Sequence, residues 1–166
     1  MLSKKLQAAL NAQVTAELHA SHLYLSMAAH FSNADLPGFE AWMRAQAEEE
    51  RGHAFRLFDF VLDRDGQVEL GAIAAPATDF GSALTTMEAT LAHEKKVSAQ
   101  INDLYKLSGD ENDYPAQVML QWFVTEQVEE EKTAMDIIAR LKLAGDDGAA
   151  LLLMDQEMGS RGGGEE

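Results

Sequence analysis

The sequence predicts an all-α fold: a four-helix bundle of two antiparallel helical hairpins, plus a short fifth helix near the C-terminal end. Three observations predict it. Apolar residues recur at three- and four-residue spacing along four long segments, the period of a half-buried helix. Clusters of Gly, Pro, Asn and Asp separate those segments. A pattern of polar residues also repeats, so that adding 77 to positions 17, 49, 50 and 53 lands on Glu94, Glu126, Gln127 and Glu130. Glu17 to Glu50 spans 33 residues, as does Glu94 to Gln127, so each hairpin delivers one Glu and then an i, i+3 pair.

The first helix is expected from about Ser3 to Phe31, with Ser3 as its cap and no Gly or Pro inside. Ser32 to Gly38 ends it. Asp35 is expected to cap the second helix, with Pro37 in its first turn, where a missing N–H costs little. That helix runs to about Asp65, and Gly66 is expected to close it. The second hairpin comprises about Ser82 to Ser108 and Tyr114 to Leu143, with Asp113 or Tyr114 at the cap and Pro115 in the first turn. Between the hairpins, Gly66 to Gly81 can reach roughly 50 Å when extended. It is long enough to run the whole bundle, and spacing alone leaves open whether it does so or forms a loose hairpin. A fifth helix is expected over about Gly148 to Met158, so residues 1–158 read as one domain and 159–166 as a flexible Gly-rich tail.

Bulk properties narrow the function. A formal charge of −15 argues against nucleic acid, whose phosphates call for the opposite sign, and favours cations. The absence of cysteine excludes disulfides, thiolate metal sites and thiol catalysis. No apolar run approaches the length of a membrane span or a signal peptide, which makes a cytoplasmic protein with no membrane partner the expectation.

Each helical stripe is interrupted by polar residues. The first reads Leu10, Val14, Glu17, Ser21, Tyr24; the second Met43, Ala47, Glu50, Ala54, with His53 three residues after Glu50. The third reads Met87, Leu91, Glu94, Ser98, Ile101; the fourth Phe123, Gln127, Glu130, Ala134. Glu17, Glu50, Glu94 and Glu130 are thus expected to converge with His53 and Gln127 in the core, and no Lys or Arg lies on these stripes. Burying one unpaired carboxylate costs several kcal/mol, so four would rival the stability of a domain. Four carboxylates match two divalent cations in charge, and oxygen donors with one imidazole suit iron or manganese. Paired carboxylates with i, i+3 ligands are how dimetal bundles are built.

Over essentially its whole length the chain resembles the non-haem bacterial ferritins. The residues that carry the likeness are Glu17, Tyr24, Glu49-Glu50-x-x-His53, Glu94, and Gln121-Trp122-Phe123 followed by Glu126-Gln127-x-Glu129-Glu130. The resemblance implies a long crossover between the hairpins and a di-iron ferroxidase centre, with two irons per subunit. Glu17, Glu50 and His53 would hold the first, and Glu94 and Glu130 the second, with Glu50 bridging and Gln127 close by. Glu49, Glu126 and Glu129, with Glu130 shared, match the family's third iron site. Tyr24 would hydrogen-bond a ligand or supply an electron, with Trp122 as a further electron source. The implied activity is oxidation of Fe(II) by dioxygen or hydrogen peroxide, and storage of the ferric oxyhydroxide product in a hollow shell of 24 copies. Haem is not expected, because Arg51 stands where bacterioferritins place their haem-ligating Met. The acids that line iron pores in animal ferritins are replaced by Gln117 and Leu120. His19, His22, His30 and His93 lie off the ligand stripes and read as surface residues. Two other classes stay open on the residues alone: a bundle that holds cations without turnover, and a di-iron oxygenase with an organic substrate.

Overall fold

The computed structural model describes residues 2–161. Among these, five helices and no strand form: α1 Lys4–Asn33, α2 Pro37–Asp63, α3 Ala83–Asp110, α4 Tyr114–Ala144 and α5 Gly148–Arg161. Helix α5 continues three residues past the expected end at Met158, and residues 162–166 of the expected tail lie outside the described residues. No helix among the described residues is long and apolar enough to cross a membrane.

Local chemistry sets most of the boundaries. Ser3 caps α1 by accepting the Leu6 N–H at 3.0 Å, and Asp113 caps α4 by accepting that of Ala116 at 3.1 Å. Three helices end alike. Asp35, Asp65 and Asn112 each turn into the left-handed region, with φ of 57°, 56° and 56°. The next N–H then folds back onto the helix: Leu36 to the Phe31 carbonyl at 3.1 Å, Gly66 to Val61 at 2.9 Å, Asp113 to Ser108 at 2.8 Å. The residue that closes α2 is therefore Asp65 and not Gly66. Asp35, spent on ending α1, does not cap α2. The N-cap of α2 is Leu36, which offers no side-chain acceptor. The acceptor comes instead from α5, where the buried Asp155 takes the Phe39 N–H at 2.9 Å. Gly38 permits this approach, since a Cβ there would fall 1.6 Å from the Asp155 carbonyl oxygen.

The connection between hairpins is a full crossover. Residues 64–82 track along α1, with the Gln67 carbonyl accepting from Asn11 Nδ2 at 2.9 Å and the Gly71 N–H donating to Thr15 Oγ1 at 3.0 Å. Further on, the Ala77 carbonyl accepts from Ser26 Oγ at 2.5 Å and the Gly81 carbonyl from His30 Nε2 at 2.8 Å. From Asn11 to His30 is roughly 28 Å of helix. Helix α3 thus begins beside the end of α1 and runs parallel to α2.

The apolar core divides in two. One cluster contains Tyr24, Met27, Phe31, Phe39, Met43, Met87, Ile137 and Leu141, and receives Met154 and Met158 of α5. The other contains Leu6, Leu10, Val14, Leu57, Val61, Ile101, Leu104, Leu120 and Phe123. Between the two, at one level on all four long helices, lie the polar interruptions.

Candidate metal centre

Each long helix brings its acid to that level because it enters from a fixed end and breaks its stripe once. Glu17, Glu50 and Glu94 are 1%, 0% and 1% exposed, and Glu130 is 7% exposed. His53 and Gln127 are buried beside them. All six residues expected at the paired site are buried at this level, though Glu94 and Glu130 belong to no group of ligand atoms within 4.8 Å of one another, and no Lys or Arg among the described residues forms an ion pair with any of the acids.

Hydrogen bonding divides the group. Gln13 Nε2 donates to Glu17 Oε1 at 2.9 Å, and the second oxygen, Oε2, has no partner. Glu50 Oε2 lies 3.3 Å from His53 Nδ1, and its Oε1 is also without a partner. Glu94 is engaged at both oxygens: the Tyr24 hydroxyl donates to Oε1, and Gln127 Nε2 to Oε2 at 3.1 Å. Gln46 Nε2 donates to Glu130 Oε2 at 3.0 Å.

Burial controls the ionisation of these groups. It drives Glu17 and Glu50 well above the usual carboxylate range, helped at Glu17 by the charge of Glu50 and at Glu50 by that of Glu94. Glu130 is pushed up to about 8 by burial, then by Glu49, Glu94 and Glu126. Glu94 is raised by burial, while the Tyr24 and Gln127 hydrogen bonds pull it partly back. The Tyr24 phenol is held well above its ordinary value by burial and by Glu94. With no cation the acids meet this cost by keeping protons. A dipositive ion in their midst reverses the balance.

Glu17, Glu50 and His53 can present one ligand atom each within 4.8 Å of one another, the separation a single cation bridges. Glu49, His53 and Glu126 form a second such group on the α2–α4 side, with Glu49 exposed and Glu126 half-buried. Glu129 is exposed and outside both groups. The donor set, hard oxygens with one imidazole and two orphaned buried carboxylate oxygens, fits a divalent iron or manganese ion.

A ferritin-like domain model matches residues 7–144. The bacterial non-heme ferritin of Bacteroides fragilis (strain 638R) is 39% identical over 161 residues, 97% of this chain and all of that one. That of Staphylococcus aureus (strain USA300) is 38% identical over the full length of both.

The chain belongs to the ferritin family.

Solved ferritins agree in shape. An open-pore ferritin from the hyperthermophilic archaeon Archaeoglobus fulgidus superposes with a TM-score of 0.95 at 43% identity, over 96% of this chain and 98% of that one. A humanized archaeal ferritin gives 0.95 at 42% identity, over 96% of each. The five helices and the crossover are therefore those of a ferritin.

Two residues near the centre, Gln13 and Gln46, are absent from the sequence-based expectation, and a third, His93, is expected elsewhere. Gln13 and Gln46 supply amide donors to Glu17 and Glu130. Each stands four residues before a stripe acid, Glu17 and Glu50, and that spacing was a usable signal. His93, expected at the surface, packs its ring edge-on to Tyr24 at 5.8 Å, and its Nε2 is buried without a partner. Burial, with His19 and Lys96 nearby, lowers its pKa to about 4, so it is neutral. Trp122 sits between His53, 5.3 Å away ring to ring, and the Arg56 guanidinium, 4.1 Å over the indole.

Proposed function

We propose that this ferritin oxidises Fe(II) with dioxygen, or with hydrogen peroxide, at a dinuclear centre inside each subunit, and stores the product as a ferric oxyhydroxide mineral within a hollow shell of 24 copies. The single observation that carries the proposal is the set of four carboxylates buried between two apolar clusters with no Lys or Arg paired to them. Glu17, Glu50 and His53 are the ligands of the first iron; Glu94 and Glu130 hold the second, Glu50 bridges, and Gln127 stands beside it. Glu49, Glu126 and Glu129, with Glu130 shared, are assigned to a third, more exposed iron site.

Fe(II) is the substrate here. Two ferrous ions give up one electron each, and dioxygen takes both with two protons to leave as hydrogen peroxide. The chain's own part is to bring the two ions together in a water-poor core and to favour the higher charge, since anionic oxygen donors stabilise Fe(III) over Fe(II). Protons held on the buried acids leave as iron binds. Tyr24, hydrogen-bonded to Glu94, orients that carboxylate and is placed to give an electron. The neutral Gln127 lowers the negative charge of the second half, which suits a site that passes ferric iron onward.

Aerobic addition of Fe(II) tests the activity. Rapid oxygen uptake with two irons oxidised per subunit is expected, and binding without oxygen uptake would sink it. Size-exclusion chromatography tests the shell: 24 chains of 18.2 kDa make a particle of roughly 440 kDa. Elution as a monomer or dimer would remove it.

A further inference from the structure

An ion bound at mid-bundle has to pass between helices. Between α3 and α4 lies a cavity of about 130 Å³ lined by Ser98, Asn102, Gln127 and Glu131 together with three apolar side chains, Val128 among them. Its floor is the buried Gln127, whose Nε2 bonds both the Glu94 carboxylate at 3.1 Å and the Glu94 carbonyl at 3.2 Å. Its wall carries Glu131, half-buried, which accepts the Ser98 hydroxyl at 2.5 Å. Asn102 and Val128 are exposed at the rim. A second cavity, of about 250 Å³ between α1 and α3, also touches a glutamine of the centre, Gln13. Ala9, Ala12, Leu104 and Leu107 make most of that wall, and its one acid, Asp103, is exposed with no hydrogen bond holding it toward the centre, whereas Glu131 is half-buried and bonded to Ser98.

We propose that the α3–α4 cavity is the vestibule through which a divalent cation reaches Glu94, with Glu131 as its first acceptor and the Gln127 amide as its gate. The inference rests on the dinuclear centre proposed above. The cavity has room for a cation that keeps some of its waters, and Glu131 with the Ser98 hydroxyl replaces those it sheds. While Gln127 bonds Glu94, one carboxylate oxygen is taken by a neutral donor. An ion arriving beside Glu131 competes for that oxygen and displaces the amide, so the gate opens to charge and stays shut to water. The Glu49–His53–Glu126 group lies on the α2–α4 side, which keeps the two approaches separable.

The test is Co(II) loading of the assembled, full-length protein, followed by stopped-flow absorbance and by the final count of ions bound. Asn102→Trp plugs the rim at an exposed position, Glu131→Gln removes the wall charge at constant size, and Asn102→Ala opens the rim as a control. Expected are loading slowed about tenfold in Asn102→Trp and about threefold in Glu131→Gln, an undiminished rate in Asn102→Ala, and the same final count throughout. Unchanged rates in both of the first two variants overturn the vestibule. So does a lowered final count in Glu131→Gln, which would make that residue a ligand of the centre. No Co(II) uptake by the unaltered protein would remove the dinuclear centre itself, and the route with it.

Discussion

The two halves of the centre come from one repeated hairpin, yet they solve the problem of buried charge differently. In the first half, Glu17 and Glu50 each keep an oxygen with no partner, beside an imidazole. In the second, where the repeat puts Gln127 for Glu50 and Glu130 for His53, neutral donors occupy the acids: Tyr24 and Gln127 on Glu94, Gln46 on Glu130. A backbone repeat therefore fixes where ligands stand, while neighbouring amides and hydroxyls decide how freely those ligands can be taken. A cation entering the first half displaces no hydrogen bond from the orphaned oxygens, whereas at Glu94 it competes with two. The first half should hold metal harder.

The largest effect expected is at Glu50, the acid proposed to bridge the two irons. Glu50→Ala should slow rapid Fe(II) oxidation by about 100-fold or more while leaving the shell intact, read by oxygen uptake and size exclusion. Fast oxidation surviving in that variant would erase the ligand assignment and the contrast between halves. Gln127→Glu should make the halves alike: Co(II) affinity of the second site rises by about tenfold. The metal-free protein melts at a lower temperature, because another buried acid now faces Glu94. Calorimetry with and without Co(II) checks both.

Next comes pH. In the metal-free folded state Glu130 keeps its proton up to about 8, whereas in the unfolded chain it loses it near ~4.3. The folded state thus binds more protons between those values, and stability falls as pH rises through that window, by up to ~1.4 kcal/mol per unit. Glu130→Gln should flatten the slope of denaturation midpoint against pH in the presence of a chelator. Equal slopes in the two proteins would show that Glu130 is not protonated there. The smallest effect is at Tyr24→Phe, which frees one Glu94 oxygen: a loss on the order of 1 kcal/mol in metal-free stability, measured by denaturant titration. A much larger loss would mean that the second half depends on Tyr24 for more than a hydrogen bond.

The bundle and the paired acids were legible in the sequence because helical periodicity is local and each acid broke its stripe at the same distance from a loop. Ser3 and Asp113 cap as expected, since a cap reaches only to its own first turn. What escaped was set by distance or by competition. Asp35 looks like a cap for α2, but the left-handed turn ending α1 claims it, and the true acceptor, Asp155, lies 116 residues beyond the Phe39 amide it serves. No period announces such a contact. Gln13 and Gln46 stand out less than the acids because a neutral amide carries no charge anomaly. His93, off the ligand stripe, is covered by packing between α1 and α3, which one helix's pattern cannot report.

The bond from Phe39 to Asp155 ties the opening of the second helix to the last one made. During synthesis the first hairpin emerges long before residue 155 exists, so its loop end waits with an amide that only α5 can satisfy. Truncation upstream of Asp155 should leave that end of α2 weaker by about 1 kcal/mol, visible as faster deuterium uptake at Phe39 in the shortened chain. The presence of α5 is thereby registered at the loop end of the first hairpin.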